Sequence, residues 1–240
     1  MKIHLFVPCF MDAIMPEAAV SVVKVLQRLG HDVEFLDQAV CCAQPAFNSG
    51  YWEESRALAR VTLKHLPSSG PIVIPSGSCG AMLKKFYGEL FAGHSEEAEV
   101  KDLSGRVHEF SSFLVNELKV EDLGASYKGR ATFHDGCHGL RELRCFDEPR
   151  RLLAKVAGLE LVEMKDRETC CGFGGAFAVK YSAISAAMGE VKCQSIEESQ
   201  AQLVISNDSS CLMHLQGILQ RDKKSVKLMH LAEVLAHRES

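Results

Sequence analysis

Short apolar runs alternate with amphipathic stretches along the whole chain. Residues 3–7 are apolar apart from His4 and read as a buried strand. Ala19, Val22, Val23, Leu26 and Leu29 then recur mainly at spacings of three and four, an amphipathic helix that Gly30 stops. A second strand is expected over 32–36, a helix over 51–66, and a third strand at Ile72-Val73-Ile74 between two prolines. The order then repeats. Residues 130–134 and 159–164 read as strands flanking a helix through Leu152, Leu153 and Val156. A helix carrying Ile184, Met188 and Val191 follows, then the strand Leu203-Val204-Ile205. Between the two series, residues 109–118 form a helical pattern with Phe110, Phe113, Leu114 and Leu118 on one face.

Strands that alternate with helices imply right-handed crossovers and parallel sheets. The expected fold is therefore α/β: two similar halves, each a small parallel sheet flanked by helices. The boundary is placed in 121–128, giving domains 1–124 and 125–240.

Composition narrows the class. The chain has 240 residues, 47% hydrophobic and 24% charged, enough to bury a substantial core. A formal charge of −4 gives no reason to expect nucleic acid or an anionic membrane as partner. The opening MKIHLFVPCF is too short an apolar run for a signal peptide, and no stretch approaches the ~18 apolar residues of a membrane helix. A cytoplasmic location is expected, where thiols stay reduced and cysteines serve metal or redox chemistry more often than disulfides.

The ten cysteines make that expectation concrete. Cys9, then Cys41-Cys42, then Cys79 are separated by 31 and 36 residues; Cys137, then Cys170-Cys171, then Cys211 by 32 and 39. Each cysteine of one set follows the same strand as its counterpart in the other. In a parallel sheet all carboxyl ends lie along one edge, where open α/β folds bind ligands. Topology thus gathers four thiols per half. Several fall where a helix should begin, and a helix N-terminus favours the thiolate that ligation needs. Zinc sites usually draw on C-x(2–4)-C knuckles, and the chain has no C-x-x-C. Iron–sulfur clusters commonly take four cysteines. Free cysteines are otherwise small buried hydrophobes. That bland reading suits Cys145 and Cys193, which lie outside the repeat, better than the duplicated eight.

The run Cys170-Cys171-Gly172-Phe173-Gly174-Gly175, spaced as above from Cys137 and Cys211, resembles the CCG cysteine-rich domain. That domain occurs in heterodisulfide reductase and in the iron–sulfur subunits of glycolate oxidase and anaerobic glycerol-3-phosphate dehydrogenase. As a short stand-alone pair, including residues 44–50, 77–79 and 210–213, the chain is similar to the lactate utilisation protein A family. The resemblance implies an iron–sulfur electron-transfer component of an NAD-independent L-lactate oxidation system. It implies one or two clusters per chain, of the [4Fe-4S] type, held by the eight cysteines. The implied partners are other lactate-utilisation subunits, a ferredoxin-like iron–sulfur protein and a third subunit, with peripheral contact to respiratory-chain membrane components. Two departures stand out. The family pattern ends each repeat in C-x-x-C, where this chain has Met82 and His214. The first repeat also reads Cys41-Cys42-Ala43, and alanine is strained if that position takes φ > 0. A zinc-binding or cluster-free scaffold, or a thiol–disulfide reductase component, is the alternative.

Other candidates weigh less. Gly172, Gly174 and Gly175 can let backbone N–H groups approach a cluster, or simply form a tight turn. His134, His138 and His214 have ligand, proton-shuttle and contact readings, against a favoured ordinary polar role. Arg141 and Arg144 are expected on a solvated face. No flavin or nicotinamide fingerprint is present.

Overall fold

The computed structural model describes residues 1–39 and 41–238. It contains two four-stranded parallel sheets of identical topology. Strands β1 (Lys2–Leu5), β2 (Asp32–Phe35), β3 (Ile72–Ile74) and β4 (Val107–Glu109) lie in the order β2-β1-β3-β4. Strands β5 (Ser126–His134), β6 (Ala157–Leu161), β7 (Leu203–Ser206) and β8 (Lys227–His230) lie in the order β6-β5-β7-β8. The expected α/β fold of two similar halves is what forms.

Register shows how far the repeat extends. Leu5 pairs with Phe35 and Val73, and Ile74 with Glu109; His134 pairs with Ser206, and Ser206 with His230. The fourth strand of each half went unexpected. β4 is only VHE and β8 KLMH, too short and too polar to carry a period-2 signal. Their partner β3 or β7, fully buried, supplies the ladder that makes them strands.

The helix Pro16–Arg28 begins with proline at its first turn, where no intrahelical donor is lost, and Gly30 follows its end at φ 81°. It buries Ala18, Ser21, Val22, Val25 and Leu26, while Ala19, Val23 and Leu29 pack at the margin. The helix Ser182–Glu198 departs from its apolar pattern. Ile184 and Val191 are exposed, and the inward face is Ser185, Gly189, Lys192, Cys193, Ser195 and Ile196. Close packing explains the rotation: a Cβ on Gly189 would meet Ile218 Cδ1 at 2.2 Å, so this face must be small.

The halves share their interior. One core contains Ile3, Leu5, Val22 and Leu26 from the first half with Phe133, Leu153, Ile205 and Val234 from the second. The last helix of the second half, Leu231–Ala236, packs on Pro16–Arg28 of the first; reciprocally, Phe110–Ser112 packs on Asp147–Leu153. Each half therefore places its terminal helix on the other. No helix among the described residues is long and apolar enough to cross a membrane.

Candidate metal centre

Each cysteine of the repeat sits just beyond the carboxyl end of a strand, for the reason the sheet topology demands. Cys9 follows β1 as the first residue of the helix Cys9–Ile14, and Cys137 follows β5 as the first residue of Cys137–Arg141. Cys79 lies in the helix Gly77–Ala81, whose N-cap Ser76 accepts a hydrogen bond from the Cys79 N–H at 3.4 Å. Cys211 is in the first turn of Ser209–Arg221. The paired cysteines occupy the loops after β2 and β6. All ten cysteines are free thiols.

The thiols within a half touch. Cys79 Sγ lies 3.1 Å from Cys42 Sγ. The Ala43 N–H donates to Cys41 Sγ at 3.4 Å, and the Gly172 N–H to Cys170 Sγ at 3.3 Å. The two halves also repeat their electrostatics. Hydrogen bonds from Cys42 and Cys9 pull the Cys41 thiol down to about 3, and those from Cys137 and Cys171 pull Cys170 down to about 2. The donors go the other way: Cys9 and Cys42 are raised chiefly by bonding to Cys41, Cys137 and Cys171 by bonding to Cys170. Within each half the thiols share protons through these contacts, and a soft cation would bind the same sulfurs in their deprotonated form.

Tertiary structure adds what spacing could not: both sets open onto one cavity of about 160 Å³ lined by all eight cysteines. Gly174 and Gly175 line it as well, with Phe10, His138, Phe173 and Asp208. Phe10 of the first half meets Phe173 of the second edge-on, centroids 5.3 Å apart, and His138 meets Phe86 at 5.9 Å. Beside the cavity the halves are locked by Asp208, which accepts from Ser76 Oγ at 2.7 Å and from the Ser78 N–H at 3.1 Å.

The remaining sequence candidates separate cleanly. Cys145 and Cys193 are buried away from the cavity, and burial raises both thiols, Cys193 to about 12. Arg141 and Arg144 are exposed and do not line it. Met82 is wholly buried in the first half's core, and the His214 ring nitrogen Nε2 lies 3.4 Å from the Ser185 carbonyl. His138 Nδ1 lies 3.6 Å from Cys137 Sγ.

His134 breaks the expectation of an ordinary polar role. It is 1% exposed, and neither ring nitrogen has a hydrogen-bond partner among the described residues. Its ligating atom and the Cys171 and Cys211 sulfurs lie within 4.8 Å of one another. Burial pushes its pKa down to about 3, with the Lys192 charge adding to the effect. Leaving two buried imidazole nitrogens unmet costs on the order of 1–3 kcal/mol each. Lys192 itself was not anticipated. Fully buried, it donates to the carbonyls of Asp166 and Arg167 below the second cysteine pair. An internal comparison of the halves carries the signal for both, since 128 and 130 positions earlier stand Phe6 and Thr62.

This pair of thiol sets on strand ends defines a class. The chain belongs to the cysteine-rich (CCG) domain family, whose sequence pattern matches residues 3–84 and 131–216. Over nearly its whole length, 236 residues, it is 45% identical to lactate utilization protein A of Geobacillus kaustophilus (strain HTA426), covering 98% of both chains. It is 43% identical over 240 residues to lactate utilization protein A of Shouchella clausii (strain KSM-K16), covering 100% of both. Among solved structures it resembles a hypothetical protein from Helicobacter pylori, with a TM-score of 0.57 and 11% identity. That likeness, one of fold alone, takes in all of this chain and 49% of the other.

Proposed function

We propose that this protein is the iron–sulfur electron-transfer component of a cytoplasmic, NAD-independent L-lactate oxidation system, not catalytically complete alone. The observation that carries the reading is the duplicated thiol set: four sulfurs per half, gathered from three strand ends, both sets facing a common cavity. The relatives named lactate utilization protein A supply the physiological setting.

In this reading Cys9, Cys41, Cys42 and Cys79 hold one group, and Cys137, Cys170, Cys171 and Cys211 another. A bound iron–sulfur cluster supplies one-electron redox chemistry. The protein's own residues hold and tune it. The N–H groups of Ala43 and Gly172 stabilise sulfur charge by hydrogen bonding, and such bonds move the potential of a metal–sulfur centre. Phe10 and Phe173 give the cavity an apolar wall. Dehydrogenation of lactate falls to partner subunits, a ferredoxin-like iron–sulfur protein and a third chain, with respiratory-chain components downstream.

Protein purified without oxygen should be brown, contain iron and acid-labile sulfide, and bleach on reduction. Cys171→Ser should remove most of the signal of the second site and abolish electron transfer in the complex. Cys193→Ser should leave iron content near wild type. Stoichiometric zinc without sulfide would replace this reading with a scaffold. Iron stripped by the Cys193 change, or iron and sulfide retained by Cys171→Ser, would sink the ligand assignment.

A further inference from the structure

The two thiol sets are alike, but the floors beneath them are not. At the last residue of β5, His134 points an imidazole into the second set, close to the sulfurs of Cys171 and Cys211. Both ring nitrogens are buried and without a partner among the described residues, in a protein interior where nearly all such groups are satisfied. The first half has Phe6 in this place, fully buried as well, so the fold itself needs only a large ring here. A buried ring with no hydrogen-bond partner among the described residues, beside two thiols, has the placement of a metal ligand.

We propose that His134 ligates the metal of the second site, so that the first site is all-thiolate and the second mixes imidazole with thiolate. The inference rests on the reading that the second cysteine set holds a metal or cluster, and adds a donor to it. Imidazole is neutral and harder than thiolate, so as an added donor it changes the ligand set without adding charge. The buried Lys192, in place of Thr62, is a further difference between the two floors.

Cobalt(II) added anaerobically to the metal-free full chain tests this without lactate turnover. Pulsed EPR of the wild type should show a directly bound imidazole nitrogen, and histidine labelled with ¹⁵N should shift that coupling. His134→Phe, which writes the first half's residue into the second, should lose it and weaken the second site about tenfold to a hundredfold. The first site's thiolate-to-cobalt absorption should stay. His138→Ala, which removes the imidazole that lines the cavity, should keep the coupling. Should the Phe variant fail to fold, His134→Gln takes its place, and His214→Ala, like His138→Ala, should keep the coupling. The inference is overturned if cobalt occupies the second site with no nitrogen coupling, if His138→Ala abolishes the coupling, if His134→Phe leaves it intact, or if cobalt does not bind there. Iron and sulfide in the protein as purified separate the cases. Their presence beside a negative cobalt result removes His134 alone, and their absence removes the cluster reading too.

Discussion

Ala43 and Gly172 occupy the same place in the two repeats, and both take left-handed backbone, φ 69° and 92°. In each, the carbonyl accepts from a serine on the second helix after it: Ser55 Oγ to Ala43 at 3.1 Å, Ser185 Oγ to Gly172 at 2.8 Å. The surroundings decide what each position tolerates. A Cβ on Gly172 would stand 2.4 Å from the Ser185 carbonyl oxygen, so Gly172→Ala meets backbone as well as an adverse φ. We expect it to cost about 3 kcal/mol or more, read as a lower urea midpoint. Ala43→Gly should change stability by less than about 1 kcal/mol, because relief of strain offsets the loss of a buried methyl. Equal effects at the two positions would refute this account. A second residue-scale prediction concerns pH. Burial holds His230 below its ordinary value, against the weaker pull of the carbonyl of Asn207, the Asp208 charge and the carbonyl of Pro75. The unfolded chain therefore takes a proton that the folded one refuses. The stability this contributes is whole above about pH 6.5 and is lost as pH falls, by at most about 1.4 kcal/mol per unit. Buried Glu109, whose carboxyl is raised by desolvation, acts oppositely and loses stability as pH rises. In metal-free protein His230→Asn should flatten the decline in urea midpoint between pH 7 and 5.5. An unchanged slope would acquit His230.

At the scale of elements, the halves also meet where the helix Gly77–Ala81 crosses Cys137–Arg141. A Cβ on Gly77 would lie 2.7 Å from the Gly139 N and 2.8 Å from its Cα, whereas one on Gly139 finds its nearest neighbour at 3.7 Å. Gly77→Ala must push apart two helices that carry Cys79 and Cys137, one from each thiol set. It should cost about 1–3 kcal/mol and widen the shared cavity, lowering metal retention by both sites. Gly139→Ala should be nearly silent in the same thermal and metal-release assays. The reverse ranking would show that the contact does not set the spacing.

For the whole molecule, the exchange of terminal helices makes each half incomplete. Arg28 on the first half's helix donates to the carbonyls of Leu123 at 3.3 Å, Leu235 at 3.5 Å and Ala236 at 2.9 Å. Val22, Val25 and Leu26 share a core with Val234 and Leu235. Residues 1–124 and 125–240, expressed apart, would each expose one side of that core. Neither should show a cooperative thermal transition alone, and mixing the two should restore one. Independent cooperative melting of either fragment would establish two autonomous domains.

Much of this protein was legible along the chain. Short apolar runs located six of the eight strands among the described residues, and a period-3.6 pattern located the helix Pro16–Arg28, because buried segments write themselves into residue order. The cysteine rhythm located the candidate site, because parallel strands end on one edge whatever their separation in sequence. Three things stayed hidden. β4 and β8 depend on ladders with their neighbours more than on their own residues. The inward face of Ser182–Glu198 is small and polar because the Gly172 loop and the helix Ser209–Arg221 press on it, a contact that no helical period encodes. His134 looked like an ordinary strand-end histidine until packing showed both nitrogens buried and unmet. The sequence by itself determined six of the strands, their duplication and the gathering of thiols at strand ends, all set by local pattern and topology. Only the tertiary structure decided that the two thiol sets share one cavity and stand on different floors, because both depend on how the halves pack against each other and within themselves.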